Sequence, residues 1–163
     1  MSPSRRLSLG AATAVAVVVL DQITKSWALR ALEDGPRHVV WTLRFNLSFN
    51  SGAAFGLGKG LAPLLVVIGI VLVVALVGIG RSAGGSLPVS VALGLVLGGA
   101  VGNLADRLVR GHGGAVVDFI DLQWWPVFNV ADAAITSGAV VLVLFTSLID
   151  RQTPASRSAG GRR

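Results

Sequence analysis

The sequence predicts an all-α membrane protein, a bundle of four transmembrane helices with a small extracytoplasmic β-sheet between the first and second helices. Three observations predict this fold class. Long uncharged stretches match the thickness of a bilayer. The mean hydropathy is +0.73 with 13% charged residues, about half the charged share of an ordinary soluble domain. An alternating stretch lies between the first two apolar stretches. The 163 residues suffice for one such domain.

Three apolar stretches reach the roughly 20 residues that a spanning helix needs. Leu61 to Gly80 and Leu87 to Leu104 carry no charge, and Val127 to Ile149 carries only Asp132. Each therefore predicts a transmembrane helix.

The first apolar stretch, Leu7 to Leu20, is followed by Asp21 and Lys25. It spans the membrane only if those two charges lie near one end or face the bundle. A cleavable signal peptide is the alternative, because Ala14-Val15-Ala16 resembles a cleavage site. We expect retention, since removal would leave an odd number of spans.

Four spans place both termini on one side, which we expect to be the cytoplasm. Lys and Arg divide equally between the two sides, but Lys25 and Arg107 lie within helix ends, which favours cytoplasmic termini. The four tryptophans form an interface belt on the opposite side: Trp27, Trp41, Trp124 and Trp125. Residues 1–150 are predicted to form the membrane domain, and residues 151–163 a disordered basic cytoplasmic tail rich in Ser, Gly and Arg.

The segment from Trp41 to Asn50 alternates between apolar and polar residues, which predicts a β-strand. Its apolar face would rest on lipid or on a lipid-bearing ligand. The apolar positions are Trp41, Leu43, Phe45, Leu47 and Phe49.

Composition excludes several kinds of site. The chain has no Cys, which removes disulfides, thiolate metal sites and a cysteine nucleophile. It has two His, so a histidine-rich metal centre is not expected, and we expect neither a metal nor a cofactor. The net charge of +6 comes from residues that flank apolar stretches, so we expect membrane lipid and not nucleic acid as a partner.

Charged residues near a membrane core are costly, so each is a functional candidate. Asp21 and Lys25 are four residues apart and share a helix face. An ion pair that lets the first helix enter the bundle is favoured over a direct catalytic role. Arg107 either binds a carboxylate, a substrate carbonyl or a lipid phosphate, or anchors a helix end at the interface.

Asp118 and Asp132 are the main candidates for catalysis. Asp118 lies among apolar residues, where desolvation raises the pKa of an unpaired carboxyl. Asp132 opens the fourth predicted helix, three residues after Asn129 and on the same face. Both lie at one membrane depth. Two carboxylates that share a proton supply a base for water and an acid for a substrate carbonyl.

Other interpretations remain open from the residues alone. Each aspartate could instead cap a helix or pair with Arg107, and Asp106 and Asp121 compete for the catalytic roles. Ser51 lacks the surroundings of a serine nucleophile, and His112, between glycines, is predicted to be solvated.

Two other classes of protein fit parts of the sequence. A proton-coupled carrier would hold a lone carboxylate near the bilayer midplane, whereas the polar residues here lie toward helix ends. A structural subunit would bind partner helices through Gly94, Gly98 and Gly102, whose four-residue spacing allows close helix contact. That reading leaves the aspartates and Arg107 unexplained.

Four blocks of sequence, in order along nearly the whole chain, resemble lipoprotein signal peptidase (signal peptidase II). The blocks are Asp21-Gln22-Ile23-Thr24-Lys25, Asn50-Ser51-Gly52-Ala53-Ala54-Phe55-Gly56, a third that runs from Gly98 through Asn103 and Arg107 to Asp118-Phe119, and Phe128-Asn129-Val130-Ala131-Asp132. The link from Arg107 to Asp118, with Gly111 to Ala115, is longer than the family pattern, which leaves the conformation of that loop open.

The resemblance implies a monomeric aspartic endopeptidase in the cytoplasmic membrane of a bacterium, with its active site toward the extracytoplasmic face. Such enzymes remove the signal peptide from diacylglyceryl-modified prolipoproteins at the lipobox cysteine and are inhibited by globomycin. By position, Asp118 and Asp132 are the catalytic pair. The residues that bind substrate or support the site are Asn103, Arg107, Asn129, Asn50, Asp21 and Lys25.

Overall fold

The computed structural model describes residues 2–51 and 86–152, together with Leu64, Val67, Ile68 and Val71. These residues form three long helices and one three-stranded antiparallel sheet. In chain order the elements are α1 (Pro3–Ala31), β1 (Arg37–Val40), β2 (Leu43–Asn50), α2 (Leu87–Val109), β3 (Val116–Asp121) and α3 (Val130–Gln152).

The helices agree with three of the four predicted spans. Within the described ranges, Ser4–Ala31 and Leu87–Val109 are long and apolar enough to cross a membrane, and Val130–Phe145 is a shorter apolar helix. The predicted span Leu61 to Gly80 lies outside the described residues except at four positions, each of them helical. A bundle of four helices therefore stays a prediction. The predicted tail also stays one, because α3 ends at Gln152 and residues 153–163 are not described.

Helix α2 packs against both neighbours through glycines, as the four-residue spacing predicts. A Cβ on Gly98 would lie 2.7 Å from the carbonyl oxygen of Ala14 and 2.8 Å from Cβ of Val17, so the backbones of α1 and α2 touch there. Gly99, on the adjacent face, lies as closely against Ala131 of α3. Small residues at such crossings permit backbone approach that any side chain would prevent. These contacts hold α2 between α1 and α3.

The sheet has the order β1-β2-β3. The predicted strand at Trp41 to Asn50 is confirmed as β2, which begins at Leu43 because Trp41 and Thr42 form the turn from β1. The expectation that the sheet lies wholly between the first two helices is wrong. Its third strand, β3, follows α2 and pairs with β2 so that Asp118 lies opposite Ser48. The sequence did not predict β3, because an apolar run that follows glycines does not distinguish a strand from a loop.

An apolar cluster fastens the sheet to the end of α1. Ala28, Leu32 and Phe119 are buried, and Phe45 packs against them. The ring of Trp27 meets Phe45 edge-on at 5.2 Å between centroids. Edge-to-face aromatic contact adds to the burial of apolar area. The sheet, and with it β3, is therefore held at a fixed height relative to the helix ends.

We expect Gly98→Val to destabilise the protein by more than about 2 kcal/mol, because the new side chain must push α1 and α2 apart. Thermal unfolding in detergent measures this. Ala139→Val, on an exposed face of α3, is the matched control and should unfold near the wild-type temperature. Equal unfolding temperatures for the two variants would show that α1 and α2 are not in backbone contact.

Candidate active site

The predicted site residues converge where the helix ends meet the sheet. Asp21 and Lys25 come from α1, Asn103 and Arg107 from α2, and Asn129 and Asp132 from the start of α3. Asn50 and Asp118 come from β2 and β3. The sequence predicts a common depth for Asp118 and Asp132, and the structure brings all eight residues into one hydrogen-bonded network.

Asp118 points from β3 into the network and is 2% exposed. Its Oδ1 accepts a hydrogen bond of 2.6 Å from Nδ2 of Asn129, and Asn50 donates a second. Because β2 and β3 are paired through this region, Asn50 at the end of β2 lies within reach of the carboxyl. Both amides hold Asp118 in one orientation.

Asp132 lies in the first turn of α3 and closes a reciprocal capping box with Asn129. Oδ2 of Asp132 accepts the backbone N–H of Asn129 at 3.2 Å, and Oδ1 of Asn129 accepts the backbone N–H of Asp132 at 2.9 Å. Such a box satisfies two of the free N–H groups at a helix start. Asp132 therefore takes part in capping α3, which was the alternative to catalysis that the sequence left open for each aspartate. Its Oδ1 also accepts a hydrogen bond of 2.8 Å from Nδ2 of Asn103.

One residue, Asn129, joins the two carboxyls. It is fully buried. Its side-chain amide donates to Asp118, and its backbone N–H donates to Asp132. Two acidic groups from separate segments are thus within the reach of one asparagine. Asp118 and Asp132 therefore meet at one shared partner, while their role as a pair stays a prediction.

The pKa of Asp118 is raised to about 7, first by burial and second by the negative charge of Asp132. The hydrogen bonds from Asn129 and Asn50 and the charge of Lys25 act in the opposite direction but do not cancel the effect. Desolvation and a like charge both disfavour the ionised form of a carboxyl. Asp118 therefore holds a proton near neutral pH, while sharing its surroundings with a second carboxyl.

A fully buried ionic cluster lies beneath the two carboxyls. Nζ of Lys25 lies 2.8 Å from Oδ2 of Asp21 and 3.0 Å from Oδ2 of Asp106, and none of the three side chains is exposed. The predicted ion pair of Asp21 and Lys25 is confirmed. Asp21 also accepts the backbone N–H of Ala131 at 3.0 Å, which ties the start of α3 to α1.

Asp106 is a structural neighbour of the site. Its Oδ2 accepts the backbone N–H of Val117 at 3.0 Å, and its Oδ1 pairs with Arg110 at 2.9 Å. The hydrogen bond to Val117 fixes β3 one residue before Asp118. With its oxygens used in this way, Asp106 does not compete for the role of the paired aspartates.

Asp121, the other competitor, belongs to the sheet. Burial acts to raise its pKa, but hydrogen bonds from Arg44, from the backbone N–H of Gln123 and from Asn46 outweigh burial and lower it. The pair with Arg44 is 2.7 Å long. Asp121 thus serves to hold β2 against β3 and the following turn.

Arg107 does not form an ion pair with any described aspartate. Its Nη1 donates to the carbonyl of Asn103 at 3.4 Å, and its buried Nε has no acceptor among the described residues. The guanidinium still lies in the field of Asp132 and Asp118. It therefore has a free N–H close to the paired carboxyls, as a residue that binds a substrate oxygen would.

A cavity of about 420 Å³ adjoins Asp132. The lining is largely apolar, from Leu122, Trp124, Trp125 and Phe128, with Thr136 and Ser137 on the same helix as Asp132. Trp124 and Trp125 are exposed on their outer sides. The arrangement places an apolar recess beside an acidic group.

Two residues of the network were not singled out from the sequence. Nε2 of Gln22 donates to Oδ1 of Asp106 at 3.0 Å, and Oε1 of Gln22 accepts from Nη2 of Arg110 at 2.6 Å. The four-residue spacing of Asp106 and Arg110 was a usable signal for a pair on one helix face.

His112 is exposed, as predicted, with its ring 4.8 Å from that of Phe49.

Comparisons with known proteins agree with these features. The family model for signal peptidase (SPase) II matches residues 13–148. The lipoprotein signal peptidase of Mycobacterium tuberculosis (strain ATCC 25618 / H37Rv) is 40% identical over 166 residues, covering 98% of this chain and 82% of that protein. The lipoprotein signal peptidase of Mycobacterium avium (strain 104) is 42% identical over 149 residues, covering 88% and 81% respectively.

Two solved structures are similar in fold, each described as a bacterial membrane enzyme determined by the in meso method. The one at 2.3 Å resolution has a TM-score of 0.78 and 28% identity, and covers 94% of each chain. The one at 1.9 Å resolution has a TM-score of 0.75 and 30% identity, covering 84% of this chain and 91% of that one.

Asp118→Asn should make the protein more stable than wild type above about pH 7 and should leave stability similar near the ordinary pKa of 3.8. The raised pKa means that the folded state binds a proton more tightly than the unfolded state. Wild type therefore loses stability as the pH rises from about 4 to about 7, at up to about 1.4 kcal/mol per pH unit. Thermal unfolding of both proteins across this range measures the difference, and parallel curves would contradict it.

Proposed function

This chain belongs to the signal peptidase II family, and from that premise we propose that it removes the signal peptide from diacylglyceryl-modified prolipoproteins at the lipobox cysteine. Asp118 and Asp132 form the catalytic pair of an aspartic endopeptidase. The observation that carries this proposal is the pair of carboxyls joined through Asn129, one of them buried with a pKa of about 7. A carboxyl that keeps its proton beside one that accepts N–H groups supplies an acid and a base together.

The two aspartates divide the reaction between them. The carboxylate of Asp132 takes a proton from water as the water oxygen bonds to the scissile carbonyl carbon, and Asp118 gives its proton to the carbonyl oxygen. The tetrahedral intermediate then breaks its C–N bond. The proton on Asp132 passes to the leaving amine, and Asp118 recovers its proton from the hydroxyl group.

Arg107 and the cavity support the binding of substrate. The free Nε of Arg107 is suited to donate to a backbone carbonyl of the substrate near the scissile bond. The apolar recess beside Asp132 is suited to an acyl chain or an apolar side chain of the substrate. Because a diacylated substrate remains in the bilayer, its peptidase must work at membrane depth.

The proposed setting is the cytoplasmic membrane of a bacterium, with a monomeric multi-pass chain, both termini in the cytoplasm and the site toward the extracytoplasmic face. The outward sides of the helices support a lipid contact, since Val15, Ile23 and Val143 are each more than half exposed. The position of the site at helix ends, beneath the sheet, supports access of water from one side.

Asp118→Asn and Asp132→Asn should each lower the cleavage rate of a diacylglyceryl prolipoprotein about a thousandfold or more, because each removes one member of the acid–base pair. The assay follows release of the signal peptide by purified protein in detergent, with and without globomycin. Asp34→Asn, on an exposed turn, and Asp121→Asn, on the sheet, are the matched controls and should retain cleavage.

Retention of cleavage in either active-site variant would remove that aspartate from the mechanism. Loss of cleavage in Asp121→Asn, with the protein still folded, would restore Asp121 as a competitor.

A further inference from the structure

Lys25 makes three contacts through one ammonium group. Its Nζ lies 2.8 Å from Oδ2 of Asp21 and 3.0 Å from Oδ2 of Asp106, and it donates to Oδ1 of Asn103 at 2.9 Å. An ammonium has three N–H donors and no acceptor. The side-chain atom of Asn103 that faces Lys25 must therefore be the oxygen.

The orientation of Asn103 sets what faces Asp132. With its oxygen on Lys25, the amide presents Nδ2 to Oδ1 of Asp132 at 2.8 Å. The same oxygen also accepts from Nδ2 of Asn129 at 3.2 Å. If the amide of Asn103 were reversed, its N–H groups would face the ammonium of Lys25 and the N–H of Asn129. Its oxygen would face the carboxylate of Asp132.

The amide of Asn129 is fixed as well, by the backbone. Its Oδ1 accepts the N–H of Asp132, so its Nδ2 must face Asp118 and Asn103. The second donor to Asp132 is the backbone N–H of Asn129, which cannot reverse at all. Among the described residues, both oxygens of Asp132 thus meet only donors whose direction is fixed.

We propose that Lys25 is a positioning residue that acts through Asn103, fixing the amide so that Asp132 faces N–H donors throughout the reaction. The inference rests on the proposed function, since it concerns the proton that Asp132 takes from water. A freely rotating amide would turn its oxygen to that new O–H and hold the proton by a hydrogen bond. The charge of Lys25 does not change when Asp132 gains a proton, so the amide stays as it is and the proton is free to pass to the leaving amine.

Other charged groups surround the same point and enter any pH dependence. Those described are Asp21 and Lys25 on α1, Asp106, Arg107 and Arg110 on α2, Asp118 on β3 and Asp132 itself on α3. Asp106 retains Arg110 as a partner if Lys25 is removed. A substitution that removes the positive charge of Lys25 is therefore best combined with one that removes the negative charge of Asp21.

The first test is the double substitution Lys25→Gln with Asp21→Asn. It keeps hydrogen-bonding groups at both positions and the net charge of the cluster, but Gln can accept as well as donate, so the orientation of Asn103 is then held only by the 3.2 Å hydrogen bond from Asn129 and its own bond to Asp132. The second test is Asn103→Asp, which keeps an oxygen on Lys25 and places an oxygen instead of N–H against Asp132. This variant retains the buried charge of Lys25 with an anionic partner. If the double variant does not fold, the pH profile of Asn103→Asp tests the inference in its place.

Both variants should lower kcat on a diacylglyceryl prolipoprotein by about ten- to a hundredfold with little change in KM. The acid limb of the kcat–pH profile should move to higher pH, because the pair of carboxyls loses an N–H donor that favours the charged form. The charge-balanced control is Arg44→Gln with Asp121→Asn, which removes the ion pair of the sheet and should leave the acid limb in place.

An unchanged acid limb in either folded variant would overturn the inference, whatever happens to its unfolding temperature. A second readout needs no substrate: the pH at which thermal stability changes should rise in both variants relative to wild type. If wild-type protein does not cleave the prolipoprotein, the proposed function fails, and this stability midpoint alone then decides whether Lys25 sets the proton affinity of the pair. An unmoved midpoint in that case overturns the inference as well.

Discussion

The structure depends on one buried ammonium group. Lys25 lies entirely out of solvent with Asp21, Asp106 and Asn103 as its partners, and those partners join α1 and α2 to α3 and β3. Asp21 holds the start of α3 through Ala131, and Asp106 holds β3 through Val117. Removing one partner from a buried ion pair typically costs 3–5 kcal/mol, as an order of magnitude, because the other charge is left unpaired. The ionic cluster therefore fixes the geometry of the site as well as the packing of the helices.

The helices and the sheet contribute different halves of the acid–base pair. Asp132 belongs to a helix start, where the backbone N–H of Asn129 and the amide of Asn103 each donate to its carboxyl. Asp118 belongs to a strand whose side chains are buried against α1 and α2, where desolvation keeps its proton in place. Two identical side chains thus acquire different properties because one lies at a polar helix end and the other in an apolar sheet face. Neither element alone would provide both.

Much of this arrangement was predictable from the sequence. Apolar stretches and their lengths predicted three helices that are described, and the alternation from Trp41 to Asn50 predicted β2 with a start two residues too early. The ion pair of Asp21 and Lys25 followed from helical spacing. The pairing of Asp118 and Asp132 followed from their common depth. Periodicity carries this information because helices and strands repeat at fixed intervals.

The remainder depended on tertiary contacts that no local pattern encodes. β3 has no alternation, since both of its faces are buried, and only its pairing with β2 makes it a strand. Asp106 and Asp121 look like candidates for catalysis in the sequence, and only their partners, Val117 and Arg44, reveal structural roles. The direction of the Asn103 amide likewise follows from Lys25, which is 78 residues away in the chain.

The most direct test of the account is whether the two carboxyls titrate as neighbours. Infrared spectroscopy of the purified protein resolves the stretching band of a protonated carboxyl, and Asp118→Asn identifies which band belongs to Asp118. In wild type this band should disappear with a midpoint at about pH 7, and in Asp132→Asn the midpoint should fall, because the like charge that raises the pKa of Asp118 is gone. An unchanged midpoint in Asp132→Asn would place the two carboxyls too far apart to act on one water molecule.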